Sequence, residues 1–269
     1  MSMLPHPPPG EGNEEYWRDY LTRGHSLERR VRVVFKRIPS SPRCRLCAAP
    51  FAGAGATLMR SIGKRPSDQN PRLCQSCFKF ISSHNGGAEI EITMLFADIR
   101  GSTTLAEGMS STEFRHVLDR FYTVASGVVF DHDGTVDKFV GDELVAIFLP
   151  LLSGEDHAKQ GVAAATDLLR ATGHADPDGP WVPIGAGLHT ATTWFGAVGQ
   201  APRVELTAVG DAMNTTARLA SVAAAGEVLV TTAAATAAGL DMSLERRQLD
   251  LKGKQLSTEV ISLRVDGNS

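Results

Sequence analysis

Residues 89 to 269 are predicted to form an α+β fold, because apolar strand-like runs alternate with helical patterns and several of the runs are joined by short turns. The predicted helices lie at 103 to 131, 155 to 172, 211 to 224 and 231 to 238. The predicted strands lie at 90 to 97, 134 to 139, 143 to 149, 181 to 189, 191 to 198, 203 to 208 and 227 to 230, with a closing pair near 244 to 252 and 257 to 265. This order is typical of a ferredoxin-like sheet with a C-terminal extension.

The N-terminal part of the chain is predicted to fold separately from this sheet. Residues 1 to 37 are a disordered start, rich in Pro, Gly and Glu, followed by a helix with apolar side chains at near-helical spacing from 14 to 37. Two interpretations of this helix remain open: it docks on a partner subunit, or it packs on the next segment of the chain. Residues 38 to 82 form a cysteine-containing module, and 83 to 88 form a linker to the domain at 89 to 269.

All four cysteines lie in that module, as the pairs Cys44 and Cys47, and Cys74 and Cys77. Two such pairs in a reducing compartment indicate a tetrahedral thiolate site, in which zinc would complete a small zinc-ribbon-like fold. An iron–sulfur cluster is the main alternative, since four thiolates also suit it. Reduced cysteines in a small core are a third interpretation. The small residues 51 to 56 between the pairs are expected to form a flexible loop.

Composition excludes some classes of protein. The formal net charge of −3 argues against a general nucleic-acid-binding protein, which is more often basic. The longest apolar run, 144 to 152, contains Pro150 and is too short to span a bilayer. No basic-then-apolar signal segment opens the chain, so we expect the protein in the cytoplasm.

Two aspartates are the strongest candidates for a functional site. Asp98 ends the first predicted strand, just before a turn into a helix N-terminus, where free backbone N–H groups can bind an anion. Asp142 lies in the predicted hairpin turn that follows Gly141. A helix N-cap would explain Asp98 alone, but it would not explain the Gly-Asp motif farther along the chain. Two carboxylates beside a phosphate-binding turn would bind divalent cations.

Four motifs follow one another along the chain: FADIRGST at 96 to 103, DKFVGDELVAIF at 137 to 148, GLHTATTWFGAVG at 187 to 199 and ELTAVGDAMNTTARLA at 205 to 220. In sequence and spacing they resemble the bacterial class III nucleotidyl cyclases, roughly over residues 88 to 265. The resemblance implies the cyclase fold and an adenylate cyclase, which converts ATP into 3′,5′-cyclic AMP and pyrophosphate by two-metal catalysis. Ser102 departs from the family, which often has phenylalanine at this position.

The same resemblance implies roles for the matched residues. Asp98, Asp142 and the backbone carbonyl of Ile99 would hold two Mg²⁺ or Mn²⁺ ions. Asn214 and Arg218 lie four residues apart and share a helical face, from which they would orient the ribose and stabilise the charge on the reacting phosphorus.

Lys138 and Thr207 match the two positions that read the purine, and this pair favours ATP. Arg203 and Lys252 are expected to contact phosphates, with Lys254 competing for the second role. In the family the metal ligands of one subunit meet the other residues of a second subunit, so the resemblance implies a head-to-tail homodimer with two equivalent sites.

Three alternatives remain open at this point. The first is a guanylate cyclase. The second is a non-catalytic nucleotide-binding regulatory protein of cyclase fold, whose cysteine module recruits a regulatory protein partner. The third makes the cysteine module a redox or metal sensor that controls the dimer.

Overall fold

The computed structural model describes residues 13–24, 26–40, 42–200, 203–244, 246–251 and 257–265, and for residues 26–29, 54 and 203 it describes the backbone alone. These residues form two compact units. The first comprises the described residues up to Ile90 together with Thr193–Val209. The second comprises Glu91–Thr192 together with the described residues from Gly210 onward.

Helices and strands alternate along most of the described chain. The helices are α1 (Glu14–Arg23), α2 (Ser26–Lys36), α3 (Gly53–Ser61), α4 (Gln75–Ser83), α5 (Ser102–Glu107), α6 (Ser111–Asp131), α7 (Pro150–Ser153), α8 (His157–Ala171), α9 (Asp211–Val222) and α10 (Thr232–Ala238). The strands are β1 (Gly86–Ile99), β2 (Thr135–Val140), β3 (Glu143–Phe148), β4 (Ile184–Gln200), β5 (Arg203–Val209), β6 (Glu227–Thr231), β7 (Arg246–Leu249) and β8 (Thr258–Leu263). Among the described helices, none is both long and apolar enough to cross a membrane.

The strands form a sheet in the order β2-β3-β1-β4-β6-β8-β7, and β5 pairs with β4. The first four strands of this order, with α6 between β1 and β2 and α8 between β3 and β4, have the connectivity of a ferredoxin-like sheet. The strands β6, β8 and β7 add the C-terminal extension. The predicted α+β ferredoxin-like fold is therefore confirmed.

The core of the second unit lies between its sheet and the helices α6, α8 and α10. Residues 92 to 97 of β1 are all buried, as expected for a central strand that is covered on both faces. Phe121, Phe148 and Leu168 are fully buried in the same core. α9 also packs on the sheet, at Gly187, where a Cβ would lie 2.5 Å from the backbone nitrogen of Ala220.

In the first unit, α1 packs on the segment that contains the cysteines, which is one of the two predicted arrangements. Trp17 and Leu21 are fully buried, and Trp17 Nε1 donates to the carbonyl oxygen of His84 at 3.1 Å. The ring of Phe80 in α4 contacts the rings of Trp17 and Tyr20. Aromatic burial therefore holds α1 to α4.

Several predicted boundaries are wrong. Residues 14 to 37 contain two helices, because α1 ends where the Gly24 N–H bonds to the carbonyl oxygen of Tyr20. The strands predicted at 181 to 189 and 191 to 198 belong to one strand, β4, whose first half pairs with β6 and whose second half pairs with β5. The expected loop at 51 to 56 contains the start of α3, which buries Ala56 and Met59.

The helices predicted at 103 to 131 are α5 and α6, which are separated by residues 108 to 110. Ser110 is the N-cap of α6, and together with Glu113 it forms a capping box: the Glu113 N–H donates to the Ser110 hydroxyl oxygen, and the Ser110 N–H donates to the Glu113 carboxylate. Such a pair satisfies N–H groups that a helix start leaves free, so it favours a new helix at this point.

Candidate active site and cysteine cluster

The two predicted metal aspartates lie at the same end of the β1–β3 pair. In the antiparallel register, Asp98 is opposite Glu143, the first residue of β3. Asp142 precedes Glu143 in the two-residue loop that joins β2 to β3. The predicted hairpin is confirmed, and it brings a third carboxylate, that of Glu143, close to the two aspartates.

These carboxylates are partly buried and repel one another. Burial raises the pKa of Asp98 to about 6, against the opposing charge of Arg100, and the charge and hydrogen bond of Asp142 raise it further. Burial also raises the pKa of Glu143 to about 7, with further contributions from the charges of Asp98 and Asp142. A divalent cation bound here would relieve this excess of negative charge.

Arg100 belongs to this site although the sequence motifs did not single it out. Its guanidinium pairs with the Asp98 carboxylate and donates to the carbonyl oxygens of Ser221 at 2.9 Å and Ala223 at 3.4 Å. Ser221 lies in the last turn of α9, so Arg100 joins the end of β1 to the C-terminal end of α9. Its residue type alone does not distinguish it from a surface arginine, and no sequence signal could have found this link.

Tyr122 of α6 is a second residue that sequence reasoning missed. Its ring stacks on Phe139 with the centroids 3.9 Å apart and an interplanar angle of 14°, and its hydroxyl donates to the carbonyl oxygen of Gly141. Tyr122 therefore supports the loop that presents Asp142. The helical pattern of α6 predicts a partly buried aromatic residue here, but it does not reveal the partner of the hydroxyl.

Asn214 and Arg218 lie on α9, whose other face packs on the sheet. Asn214 is exposed and Arg218 is half-buried, whereas the residues on the packed face are buried: Thr215, Thr216, Leu219 and Ala220. In the described part of the chain, no hydrogen bond or ion pair joins Asn214 or Arg218 to Asp98 or Asp142. The two side chains are thus directed away from their own sheet.

The other predicted site residues lie on β2 and β5. Lys138 follows a bulge at Asp137 in β2, and its Nζ is 3.3 Å from the buried Asp137 carboxylate. Thr207 lies on β5, opposite Gly196 of β4. The side chain of Arg203 falls outside the described residues, as do Lys252 and Lys254.

A cavity of about 440 Å³ opens beside Asp142. Ser102 and Thr103, which begin α5, line it together with Gly141 and Asp142. The predicted turn from Asp98 into a helix is therefore present, and it borders a space next to the carboxylates.

The four cysteines form a separate cluster in the first unit. Their sulfur atoms all lie within 4.8 Å of one another, and Cys47 Sγ is 3.7 Å from Cys74 Sγ. Cys44 and Cys74 are fully buried, and the backbone N–H of Cys74 donates to Cys44 Sγ at 3.2 Å. The prediction that both pairs meet at one site is confirmed.

The cysteines of this cluster share hydrogen bonds that shift their pKa values in opposite directions. Hydrogen bonds from Cys44, Cys47 and Cys77 lower the pKa of Cys74, whereas hydrogen bonds within the cluster raise the pKa of Cys47 and of Cys77. Burial by itself would lower the pKa of Lys64, but the negative charges of the cysteines outweigh burial and raise it. A charged lysine beside the sulfur atoms stabilises the deprotonated form, which is the form that binds a metal ion.

The sequence and the fold can be compared with those of known proteins. Residues 87–262 match the family model described as the adenylate and guanylate cyclase catalytic domain. The chain belongs to this cyclase family. The matched region includes both aspartates, Asn214 and Arg218, and the four cysteines precede it.

Two curated relatives are adenylate cyclases. The chain is 34% identical over 146 residues to adenylate cyclase 1 of Rhizobium meliloti, a match that covers 51% of this chain and 22% of that protein. It is 35% identical over 130 residues to the terminal-differentiation specific adenylate cyclase of Dictyostelium discoideum, covering 47% of this chain and 6% of that protein. The chain therefore spans less than a quarter of the length of these relatives.

Solved structures show the same fold. The guanylyl cyclase Cya2 matches with a TM-score of 0.60 and 26% identity, over 66% of this chain and 93% of that chain. The adenylyl cyclase CyaB from P. aeruginosa matches with a TM-score of 0.58 and 24% identity, over 67% and 96% of the two chains. The solved structures that resemble this chain thus include one named as a guanylyl cyclase and one named as an adenylyl cyclase.

The pKa of Glu143 leads to a testable pH dependence of the protein's stability. Because the folded-state pKa is raised from 4.5 to about 7, ionisation of Glu143 costs stability as the pH rises through this window, and the cost is complete above it. Solvent screening should keep the cost near 1 kcal/mol. Without added divalent cations, Glu143→Gln should therefore raise the Tm by about 2 to 4 °C at pH 8 and by much less at pH 5, measured by calorimetry.

Glu155→Gln, at an exposed position, is the matched control and should leave Tm unchanged at both pH values. An equal rise at pH 5 and pH 8 for Glu143→Gln would contradict the electrostatic explanation.

Proposed function

We propose that this cyclase is an adenylate cyclase, which converts ATP into 3′,5′-cyclic AMP and pyrophosphate. The observation that carries the proposal is the meeting of Asp98 and Asp142 at the end of the β1–β3 pair, within a chain of the cyclase family. The names of the curated relatives, both adenylate cyclases, support the choice of ATP.

We further propose that Asp98, Asp142 and the carbonyl oxygen of Ile99 hold two Mg²⁺ or Mn²⁺ ions. Carboxylate and carbonyl oxygens are the ligands that these hard cations prefer. The raised pKa of Asp98 fits such a site, since it reflects burial and a second carboxylate that a cation would neutralise. When bound, the ions would lower the pKa of the ribose 3′-hydroxyl and balance the charge of the pyrophosphate.

In the reaction, the ribose 3′-oxygen gives its proton to solvent water and forms a bond to the α-phosphorus, while the bond from that phosphorus to pyrophosphate breaks. Arg218 would stabilise the negative charge that develops on the phosphoryl oxygens, and Asn214 would orient the ribose. Arg203 and Lys252 would bind the terminal phosphates. The cavity between α5 and the Gly141-Asp142 loop offers space for part of the nucleotide beside the carboxylates.

Lys138 and Thr207 would read the base. A lysine ammonium can donate to the ring nitrogen acceptor of adenine, and a threonine hydroxyl can accept from the exocyclic amino group. The ion pair of Lys138 with the buried Asp137 restricts this lysine, which would favour selective readout. The likeness to a guanylyl cyclase keeps GTP as the alternative substrate.

We propose that the complete site forms between two copies of the chain, in a head-to-tail homodimer. Asn214 and Arg218 point away from their own sheet, and no bond among the described residues joins them to Asp98 or Asp142. A second copy can bring its α9 to the carboxylates of the first. The two-fold symmetry of such a dimer gives two equivalent sites.

For the cysteine cluster we propose one zinc ion. A zinc ion about 2.3 Å from four thiolates in a tetrahedron places neighbouring sulfur atoms about 3.8 Å apart. The distance of 3.7 Å between Cys47 Sγ and Cys74 Sγ agrees with this spacing. An iron–sulfur cluster would hold the four sulfur atoms farther apart, because several iron and sulfide atoms lie between them. A reducing cytoplasm, where we place the protein, suits such thiolates.

The catalytic proposal is tested by incubating the purified protein with ATP or GTP and Mg²⁺ or Mn²⁺, and by identifying the product with mass spectrometry. We expect cyclic AMP from ATP, and a loss of about 100-fold or more in Asp98→Ala, since the cation site is then incomplete. Asp241→Ala, at an exposed turn, should retain full activity. A folded dimer that forms no cyclic nucleotide under any condition would contradict the proposal, whereas cyclic GMP as the main product would change the substrate.

The zinc proposal is tested by elemental analysis of the purified protein. We expect about one zinc per chain, and its loss in the double variant Cys44→Ser with Cys77→Ser. Ser76→Ala is the matched control, because this exposed residue lies between two of the cysteines and offers no thiolate. Iron in place of zinc, with visible absorption, would indicate a cluster instead.

A further inference from the structure

The cysteine cluster and the hairpin that carries Thr207 belong to one compact unit. This hairpin consists of the second half of β4 and all of β5. The helix α4 begins directly after Cys74, contains Cys77 and packs against β5. Two cysteines of the cluster are therefore positioned at the start of the helix that supports the hairpin.

Asn70 links the loop that precedes Cys74 to β5. It lies in the loop that leads to Cys74, and it is buried. Its Oδ1 accepts from the backbone N–H of Arg72 at 3.2 Å, and its Nδ2 donates to the carbonyl oxygen of Val204 in β5 at 3.5 Å. One side chain thus connects the cysteine loop to the strand that bears Thr207.

The side of β5 that packs in this unit is the opposite side from Thr207. Val204, Leu206 and Ala208 are buried, and they alternate with Glu205, Thr207 and Val209, which are not. Packing in the first unit therefore holds β5 by the face opposite Thr207.

A further contact lies at the level of Thr207 itself. Gly196, the partner of Thr207 in the β4–β5 pair, is in close backbone contact with Gly87. A Cβ at Gly87 would lie 2.5 Å from the carbonyl oxygen of Phe195 and 2.8 Å from the Cα of Gly196. The start of β1, which follows α4, therefore lies directly against the β4–β5 pair that positions Thr207.

We infer that the metal ion of the cysteine cluster fixes the β4–β5 hairpin, and that selection of adenine by Thr207 consequently depends on that ion. The inference rests on the proposed function, which gives Thr207 its role in base readout. Without the ion, the cysteine loop and the start of α4 lose the link that joins the two cysteine pairs. The contacts that hold β5 in place then weaken. The hydrogen bond between Thr207 and the base, which needs a fixed hairpin, becomes weaker as a result.

The first test is the ratio of kcat/KM for ATP to kcat/KM for GTP, before and after the zinc is removed by chelation and Mg²⁺ is restored. This ratio does not depend on the fraction of active enzyme, so partial unfolding alone would not move it. We expect removal of zinc to lower the ratio about tenfold, comparable to losing one hydrogen bond to a buried partner. Addition of zinc should restore it.

The second test is hydrogen exchange of the β5 amides on the same samples, which needs no catalysis. Removal of zinc should increase exchange at 204 to 209 at least about tenfold, while the amides of α8 stay protected. Unchanged exchange in β5, or an unchanged ratio in zinc-free protein, would overturn the inference while leaving the proposed function intact. Absence of any cyclic nucleotide from the zinc-loaded protein would instead overturn the proposed function, and exchange would still decide whether the metal fixes the hairpin.

Because Asn70→Ala keeps all four cysteines, this variant tests the hydrogen bond to β5 without changing the ligands of the metal site. It should lower the ATP to GTP ratio about threefold and increase exchange in β5, with the zinc content unchanged. The neighbouring exposed Gln69 supplies the matched control, Gln69→Ala, which should change neither quantity. An effect of equal size in both variants would contradict a specific role for the Asn70 link.

Discussion

Mutual repulsion of the carboxylates at the end of the β1–β3 pair is the constraint on which the functional interpretation depends. The antiparallel register places Asp98 opposite Glu143, and the two-residue loop adds Asp142 beside them. Arg100 offsets only part of their charge, since the pKa of Asp98 is still raised. Such a cluster of carboxylates lowers the stability of the fold at neutral pH, so packing alone does not explain its presence. This loss of stability is the physical reason for proposing a cation site here.

The surrounding residues position this cluster and connect it to α6 and α9. Tyr122 bonds to the carbonyl oxygen of Gly141 and so supports the loop of Asp142. Arg100 extends from Asp98 to the C-terminal end of α9, the helix that carries Arg218. If α9 acts on the carboxylates of a second copy, Arg100 also provides a physical connection between the two sites of a dimer.

Much of this arrangement could be predicted from the sequence, and the exceptions have physical reasons. The apolar run before Asp98 and the Gly141-Asp142 turn predict a strand and a hairpin, since local pattern determines both. The continuity of β4 could not be predicted, because its two halves pair with strands that are distant in sequence. The partners of Arg100 also depend on tertiary contacts, and local pattern carries no information about them.

The central claim is that the carboxylates of one chain work with α9 of another. The most direct test mixes an Asp142→Ala chain with an Arg218→Ala chain under conditions that exchange subunits, and measures cyclic AMP formation. Random mixing makes half of the dimers mixed, each with one intact site, so the claim predicts recovery to about one quarter of wild-type activity. Mixing Asp98→Ala with Asp142→Ala leaves no intact site and should recover none. Absence of recovery from the first mixture, with mixed dimers demonstrated, would contradict the shared site.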